Sequence, residues 1–362
     1  MSLKFTLSEE FLSSQEQDVF SDYLKSQEVD ETVWQIYFCY FKVKSRWTRP
    51  MVLRVFSDER LIAAALLIEC RHTGRSLFKS SLLYNPVNWL GIPVYIWLRA
   101  GFGPEVIANP GFYSNDVDPD LIAGEIINYL HNKSVAFFIT DYQANAHLHK
   151  GANVFPYVDE GTVDVSGMET VQDYIAEHSN LKRKIRTFTN KGGTIEILKG
   201  KLEDNYQQAV VNCAESTMRK SFVYTPFQDI FINVIKETLH GDSSSFIHIF
   251  TKMDGEITGY HSYVVTGSTL RMMHGAFYRD LKSTYHAYEN IFIATVGHAI
   301  EQRLKKVYFG PIMNETKRRM MRESEPCSTY FYSRNPVFRF IFSLMYSRSQ
   351  LQNKKLLAFA SK

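Results

Sequence analysis

The stretch 306-KVYFGPIMNETKRR-319 decides how this chain folds. Val307, Tyr308 and Phe309 are β-branched or aromatic and follow a segment with helical periodicity and a charged end, so they read as a buried strand. Gly310-Pro311 stops the run, because glycine permits close backbone approach and proline brings no amide hydrogen to a central ladder. Lys317 then falls just past the strand's carboxyl end, where α/β sheets usually place their ligands. On composition alone it reads as a solvated lysine in a basic loop. The pattern before it makes it a site candidate.

Working backwards, Tyr288, Phe292, Thr295, Val296, Ala299 and Leu304 recur at three- and four-residue steps and predict an amphipathic helix over 288–304. Leu270–Tyr278 predicts a strand. Phe246–Lys252 and Ile257–Val265, separated by Met253-Asp254-Gly255-Glu256, predict a β-hairpin with a strong Asp-Gly turn signal. The first half echoes this order. Met51–Phe56 and Leu61–Ile68 flank Ser57-Asp58-Glu59-Arg60 as a hairpin; an extended region follows, then a helix at Pro119–His131 with Leu121, Ile122, Ile126, Ile127 and Leu130 on one face, then a strand at Val135–Thr140. Between the halves, Val171, Tyr174, Ile175, His178, Leu181, Ile185 and Phe188 predict one helix over 169–190, ended by Gly192-Gly193. Its opposite face carries Lys182, Arg183 and Arg186, either a solvated basic face or an anion-binding rim.

At 362 residues the chain suits two domains or one elaborate one, and 45% hydrophobic and 14% aromatic residues suffice for a large core. A net charge of +3 is too small to argue for nucleic acid, although basic residues concentrate at Lys182–Arg186, at Lys317–Arg322 and along the C-terminal tail. The four cysteines, Cys39, Cys70, Cys213 and Cys327, show no metal-ligand spacing and read as free thiols of a reducing compartment. The N-terminus is polar and acidic, so no secretory leader is expected and a cytoplasmic location follows. Leu82–Leu98 has no charge, but Pro86, Gly91 and Pro93 would interrupt a membrane helix. It reads as an irregular pocket wall or a lipid-facing surface. Pro336–Leu356 mixes Val337, Phe338, Phe340, Ile341, Leu344 and Met345 with Arg339, Arg348, Lys354 and Lys355, an amphipathic basic pattern suited to packing on the protein or to an anionic membrane.

No P-loop, GxSxG, HExxH or GxGxxG motif is present. His147 and His149 share a strand face, but no further ligand sits at a convincing interval, so no metal site is expected. Cys213 and Cys327 lack a recognisable His/Asp partner spacing for nucleophilic work. The run Arg271–Asp280 alternates and then turns polar, and His286-Ala287-Tyr288-Glu289 opens the following helix. Unpaired amides and the positive dipole end make such a helix start suitable for a pyrophosphate, with Ser283 or Thr284 as cap.

Hairpin, strand, helix and strand resemble the second half of the GNAT acyltransferase fold, and two such runs in one chain resemble its tandem branch. That branch includes the Fem-type peptidoglycan aminoacyl transferases and relatives named after cellulose or biotin synthesis. The segments LKRKIRTFTNKGGTIEIL, DGEITGYHSYVV and GAFYRDLKSTYHAYENIFIATVGHAIEQRLKKVYFGPIMNETKRRM carry the resemblance, which covers roughly residues 50–320 and is stronger in the second half. It implies an α/β (α+β) fold of two units, each a mixed, mainly antiparallel sheet flanked by helices. The expected units are 1–168, forming an acceptor pocket wall, and 169–362, binding the acyl donor and carrying catalysis, with the basic tail at 336–362.

The resemblance further implies N-acyl transfer from acyl-CoA, as co-substrate, to an amine of a small-molecule or lipid-like acceptor. Lys317 would then lie near the reacting carbonyl, with His274, Tyr288 or Glu289 accepting the amine proton. Gly275, Ala276, Tyr285, His286 and Ala287 would hold the donor; Lys182, Arg183, Arg186, Trp89, Tyr95 and Tyr278 would contact substrate. His274 also reads simply as a hydrogen-bonded strand histidine. The family's glutamine-glycine-glycine phosphate loop is missing from the sequence. Fem-type members take aminoacyl-tRNA instead, so modification of a cell-wall or peptide amine from that donor is the second expectation, and a non-catalytic binding protein the third. No DNA partner is expected; the tail suggests peripheral contact with the inner membrane face.

Overall fold

Two hairpins seed two sheets. In the computed structural model, which describes residues 2–26, 48–71, 93–98, 111–133, 136–141, 153–156, 159–178, 180–220, 232, 235–236, 239, 245–278, 285–311, 315–321, 323–325, 328–337 and 339–340, each hairpin closes through two residues of positive φ. These are Asp58 and Glu59 (50° and 67°) and Asp254 and Gly255 (50° and 88°). That geometry matches the right-handed twist of the flanking strands.

The first unit contains β1 (Leu3–Ser8), α1 (Ser14–Asp18), α2 (Ser21–Ser26), β2 (Thr48–Ser57), β3 (Arg60–Arg71), β4 (Pro93–Leu98), β5 (Phe112–Tyr113), α3 (Pro119–Lys133), β6 (Ala136–Asp141) and β7 (Asn153–Pro156). Its sheet runs β1-β2-β3-β4-β6-β15-β7, where β15 is Ser328–Ser333 and β5 pairs with β3. Among the described strands of this sheet only β4 and β6 are parallel, and α3 makes the crossover that parallel neighbours require. Ile122, Ala123, Ile126, Ile127 and Leu130 of α3 enter the core beside Val52, Leu53 and Leu66. Leu121, expected on that apolar face, is instead exposed, because it lies one position around the helix from the buried stripe.

The second unit contains β8 (Glu160–Asp164), α4 (Val171–Ala176), α5 (Leu181–Asn190), β9 (Gly193–Lys199), α6 (Asp204–Lys220), β10 (Phe246–Met253), β11 (Glu256–Thr266), β12 (Thr269–Phe277), α7 (Ala287–Glu301), β13 (Lys306–Pro311), α8 (Glu315–Met320) and β14 (Glu323–Glu325). Its sheet runs β14-β8-β13-β12-β11-β10-β9. The order β10-β11-β12-α7-β13 repeats β2-β3-β4-α3-β6, including the single parallel pair at the crossover. The echo read from the sequence is therefore real, and each unit is a mixed, mainly antiparallel sheet with helices.

Adjacent residues of β11 report the two faces of the second sheet. Tyr260 packs with Cys213 and Ala214 of α6, whereas His261 meets Phe292 of α7. α6 thus covers one face and α7 the other.

Two expectations are corrected. The helix over 169–190 is two helices: His178 N–H donates to the Ile175 carbonyl at 3.2 Å and Leu181 N–H to the His178 carbonyl at 3.0 Å, a tight turn between α4 and α5. The apolar period runs on through the turn, since Tyr174, Ile175, Leu181 and Phe188 are all buried, so periodicity alone did not reveal it. The compact units are Met1–Val158 with Tyr224–Ile230 and Pro326–Lys362, and Asp159–Val223 with Phe231–Glu325, rather than 1–168 and 169–362. The reason is strand pairing: β8 hydrogen-bonds to β13 and β14, while β15 returns to β6 and β7.

Candidate active site

β12 and β13 run together only briefly. Thr269 pairs with Lys306, Leu270 with Val307 and Arg271 with Tyr308. Beyond them β12 follows β11 alone to Phe277, and β13 follows β8 to Pro311. Each strand also breaks its outer ladder at this level. On β12 the register passes from Met272↔Tyr263 to His274↔Ser262, leaving Met273 as the extra residue. On β13 it passes from Tyr308↔Thr162 to Pro311↔Glu160, with Gly310 at φ 71°. Pairing between the two strands stops where both are irregular, which leaves a slot in the ladder.

Lys317 serves this end of the sheet. From α8 its Nζ donates to the Phe309 carbonyl of β13, beside Gly310, and its side chain is buried. The solvated lysine of the bare composition is therefore corrected, because α8 packs its Lys317 against the strand.

α7 begins at the same sheet end as β12 finishes. His286 is its N-cap, in the left-handed conformation at φ 56° and with no side-chain cap bond. Ser283 and Thr284, expected as caps, lie outside the described residues. Tyr285 and His286 are half-buried, while Ala287, Tyr288 and Glu289 are buried. Glu289 accepts a 2.7 Å bond from Lys184 of α5, and its carboxylate is 3.8 Å from His286 Nδ1. A carboxylate in the first turn complements the positive end of the helix. Lys184 was missed in the sequence; its position beside the apolar stripe of Leu181, Ile185 and Phe188 was the available signal. Lys182, Arg183 and Arg186 are exposed, as a basic face should be.

The α7 face of the sheet holds a buried polar chain that sequence reasoning also missed. His261 Nδ1 lies 2.8 Å from Tyr263 Oη, which lies 2.9 Å from Thr295 Oγ1, which donates to the Ile291 carbonyl at 2.7 Å. Phe277, Tyr288 and Phe292 surround the His261 ring edge-on, and Phe309 of β13 stacks on Phe292. Alternate β11 positions spaced like His261 and Tyr263 were its only trace in the sequence.

His274 is not part of that group. It faces α6, where its Nδ1 is 3.2 Å from Tyr260 Oη. Burial, with His248 close by, lowers its pKa to about 3, and burial lowers that of His248 to about 4. His248 is held between Ser262 Oγ at 2.8 Å and the Gly200 carbonyl at 3.1 Å. The sheet therefore separates His274 from Tyr288 and Glu289, because strand alternation sends Ala276 and His274 to one face and Gly275 and Phe277 to the other. Tyr278 is half-buried and packs with the α6 cluster. On this face Arg271 is buried with its guanidinium 3.6 Å from the centre of the Tyr308 ring.

Cys213 lies in α6 under the sheet, and burial pushes its thiol up to about 12. It is no nucleophile at neutral pH. Trp89, Cys39, Cys327, His147 and His149 lie outside the described residues, as does most of Leu82–Leu98. Tyr95 is in β4, but its side chain also lies outside the description.

The sequence matches no protein-family model and no curated protein. Solved structures do match. The C-terminal domain of a protein assigned as a lysylphosphatidylglycerol synthetase from Agrobacterium fabrum aligns with a TM-score of 0.53 at 13% identity, covering 88% of this chain and 95% of that one. A tandem GNAT protein from the clavulanic acid biosynthesis pathway gives 0.50 at 9% identity over 92% and 99%. FemX gives 0.51 at 11% identity over 96% and 100%. At such identities the likeness establishes the fold alone: this chain has the tandem GNAT fold.

Proposed function

We propose that the second unit is an acyltransferase that moves an activated acyl group onto an amine. The observation that carries this reading is the slot between β12 and β13, where a three-pair parallel ladder ends beside Met273, Gly310 and the Lys317–Phe309 contact. The neighbours with this fold support it: one is a GNAT protein and another is assigned to a lysyl-lipid synthetase.

Amine attack needs an acyl carbonyl held in place and a developing oxyanion stabilised. Lys317 is a cation next to the slot and a group suited to the second task. Its stem is held by burial, so its charge needs little reorganisation during reaction. The acyl carbon gains a bond to nitrogen and loses its bond to sulfur or oxygen, and the amine proton passes to a base.

An acyl-CoA donor is the first form of this reading, its pyrophosphate at Tyr285, His286 and Ala287, where α7 starts. An aminoacyl-tRNA donor is the second, and one observation favours it: Glu289, paired with Lys184, already offers the first turn of α7 a negative partner. The exposed Lys182, Arg183 and Arg186 of α5 suit a phosphate backbone. Lipid-like amines remain among the acceptors. Exposed Val337 and Phe340 beside exposed Arg339 support peripheral membrane contact, and among the described residues no helix is long and apolar enough to cross a membrane.

The test is transfer by the purified full chain. Acyl-CoAs of graded chain length are mixed with a panel of amines and thiol release is read; charged tRNA is read by RNase-sensitive discharge to the same amines. Release from one donor class, with thermal stabilisation by that donor, supports the reading. No transfer from either class overturns it.

A further inference from the structure

Phe309 and Gly310 stand in a gap of β13. Among the described residues the β12 ladder ends at Tyr308, and the β8 ladder passes from Tyr308 directly to Pro311, so neither residue has a register partner on either side. The Phe309 carbonyl instead accepts from the Lys317 ammonium. Lys317 Nζ also stands 3.8 Å from the point where a Cβ of Gly310 would lie. The cation is held against the stretch of backbone that borders the slot.

α8 carries Lys317 there, and α8 is too short to hold itself. Its six residues make under two turns, and so short a helix depends on tertiary support. Its last carbonyls have no partner further along the helix. One of them, that of Met320, accepts a 2.6 Å bond from the hydroxyl of Tyr174, 146 residues away in sequence. Tyr174 is fully buried on α4, and α4 is itself fixed at its start by a capping box: the Gln172 amide donates to Thr170 Oγ1 and the Thr170 amide to the Asp173 carboxylate. The His178 ring lies against Tyr174 with centroids 4.8 Å apart. A second tether runs from Arg318 to Ser324 Oγ at 3.0 Å, and from Ser324 to Asp159 at 3.2 Å. Lys317 and Met320 share one face of α8 and are both buried, whereas Arg319 is exposed. A helix this short, pinned at Met320, has its Lys317 ammonium set by that pin.

We propose that Tyr174 is a positioning residue for acyl transfer: its hydroxyl fixes the carboxyl end of α8 and so sets the Lys317 ammonium at the slot. The inference rests on the acyl-transfer reading above and adds to it a residue of α4, which acts through Lys317 rather than on donor or acceptor. Without the hydroxyl, the Met320 carbonyl loses its buried donor, and α8 shifts or frays to replace it. The cation then moves, and its effect on an oxyanion depends on fixed placement.

Tyr174→Phe in the full chain removes the hydroxyl and keeps the ring against His178. With the active donor, kcat should fall about 10- to 100-fold with KM little changed, as misplacement without loss of binding requires. In a Lys317→Met background the same substitution should cost nothing further, because the group it misplaces is already gone. A second readout needs no turnover. Acylation of Lys317 by a water-soluble succinimidyl ester, followed by peptide mass, should speed up at least about threefold in Tyr174→Phe, with faster amide exchange across 315–321 and unchanged exchange in α7. Tyr206→Phe, which cuts a 2.7 Å hydroxyl bond to Glu196, is the control and should alter none of these. Equal losses of kcat in the two backgrounds overturn the proposal, as does unaltered turnover by folded Tyr174→Phe. Unchanged Lys317 labelling beside intact transfer overturns the role of Tyr174 alone. Absence of transfer by the unaltered protein overturns the acyl-transfer reading itself, and this role with it.

Discussion

Lys184 of α5 and Glu289 of α7 are joined by a 2.7 Å ion pair whose carboxylate side is only 10% exposed. It ties the basic helix to the first turn of the helix that follows β12. Removing one partner of a buried pair strands the other, which costs more than the pair contributes. Lys184→Met should therefore destabilise the protein by about 1–3 kcal/mol, discounted from the fully buried case because Lys184 keeps some solvent. Adding Glu289→Gln should recover part of the loss. Urea unfolding of the two single variants and the double variant reads the coupling; strictly additive effects would show that the contact carries no energy.

Lys317→Met keeps the length and the apolar stem of the side chain while deleting its charge. If the cation stabilises the oxyanion, kcat should fall by about 100- to 1,000-fold with KM little changed. Thermal unfolding separates this from a structural effect. A variant that melts early yet turns over normally when folded would leave Lys317 with the Phe309 carbonyl as its only task.

Two glycines give opposite expectations. A Cβ at Gly275 would meet His261 Cδ2 at 2.3 Å and Met272 Cε at 2.6 Å, so Gly275→Ala should cost about 1–3 kcal/mol by overpacking. Gly124, inside α3, has nothing within 4 Å of that point, so Gly124→Ala should add about 0.5–1 kcal/mol by helix propensity. Melting temperatures of the pair check both signs, and a stabilising Gly275→Ala would mean that His261 does not lie over β12.

The second sheet should weaken in mild acid. His274 and His248 have folded pKa values of about 3 and about 4, lowered by burial, against about 6.5 in the unfolded chain. Both states are neutral above pH 6.5, and the contribution is fully present there. As pH falls below 6.5 the unfolded state takes protons first, so stability declines, by up to about 1.4 kcal/mol per pH unit per histidine, until the folded values are reached. Urea midpoints between pH 7.5 and 5 should fall, and His248→Gln should flatten the slope.

Cys213, with its thiol pushed up to about 12 by burial, should resist an aromatic disulfide reagent in the native protein and react only at the unfolding rate. Comparison of labelling at Cys213 by peptide mapping before and after denaturation measures this.

Local chemistry was legible wherever it decides local structure. The Asp254-Gly255 turn, the strand-helix-strand run from β12 to β13 and the repetition of that order in both halves follow from alternation, three- and four-residue periodicity and turn residues. The fold class followed from the resemblance of this run, present twice, to the GNAT fold. The break between α4 and α5 was not legible, since buried residues keep helical spacing straight through it.

What only tertiary structure decided is which side chains meet. β15 completes the first sheet from the far end of the chain, a pairing of high sequence separation that no local pattern encodes. His274 went to the α6 face because a bulge at Met273 sets the alternation of β12, and one extra residue in a strand reverses every side chain beyond it. His261, Tyr263 and Thr295 became a hydrogen-bonded chain only when α7 packed across β11. Lys317 stood out in the sequence by its place past a strand end, but its burial against Phe309 depends on α8 packing against β13, which the sequence does not announce.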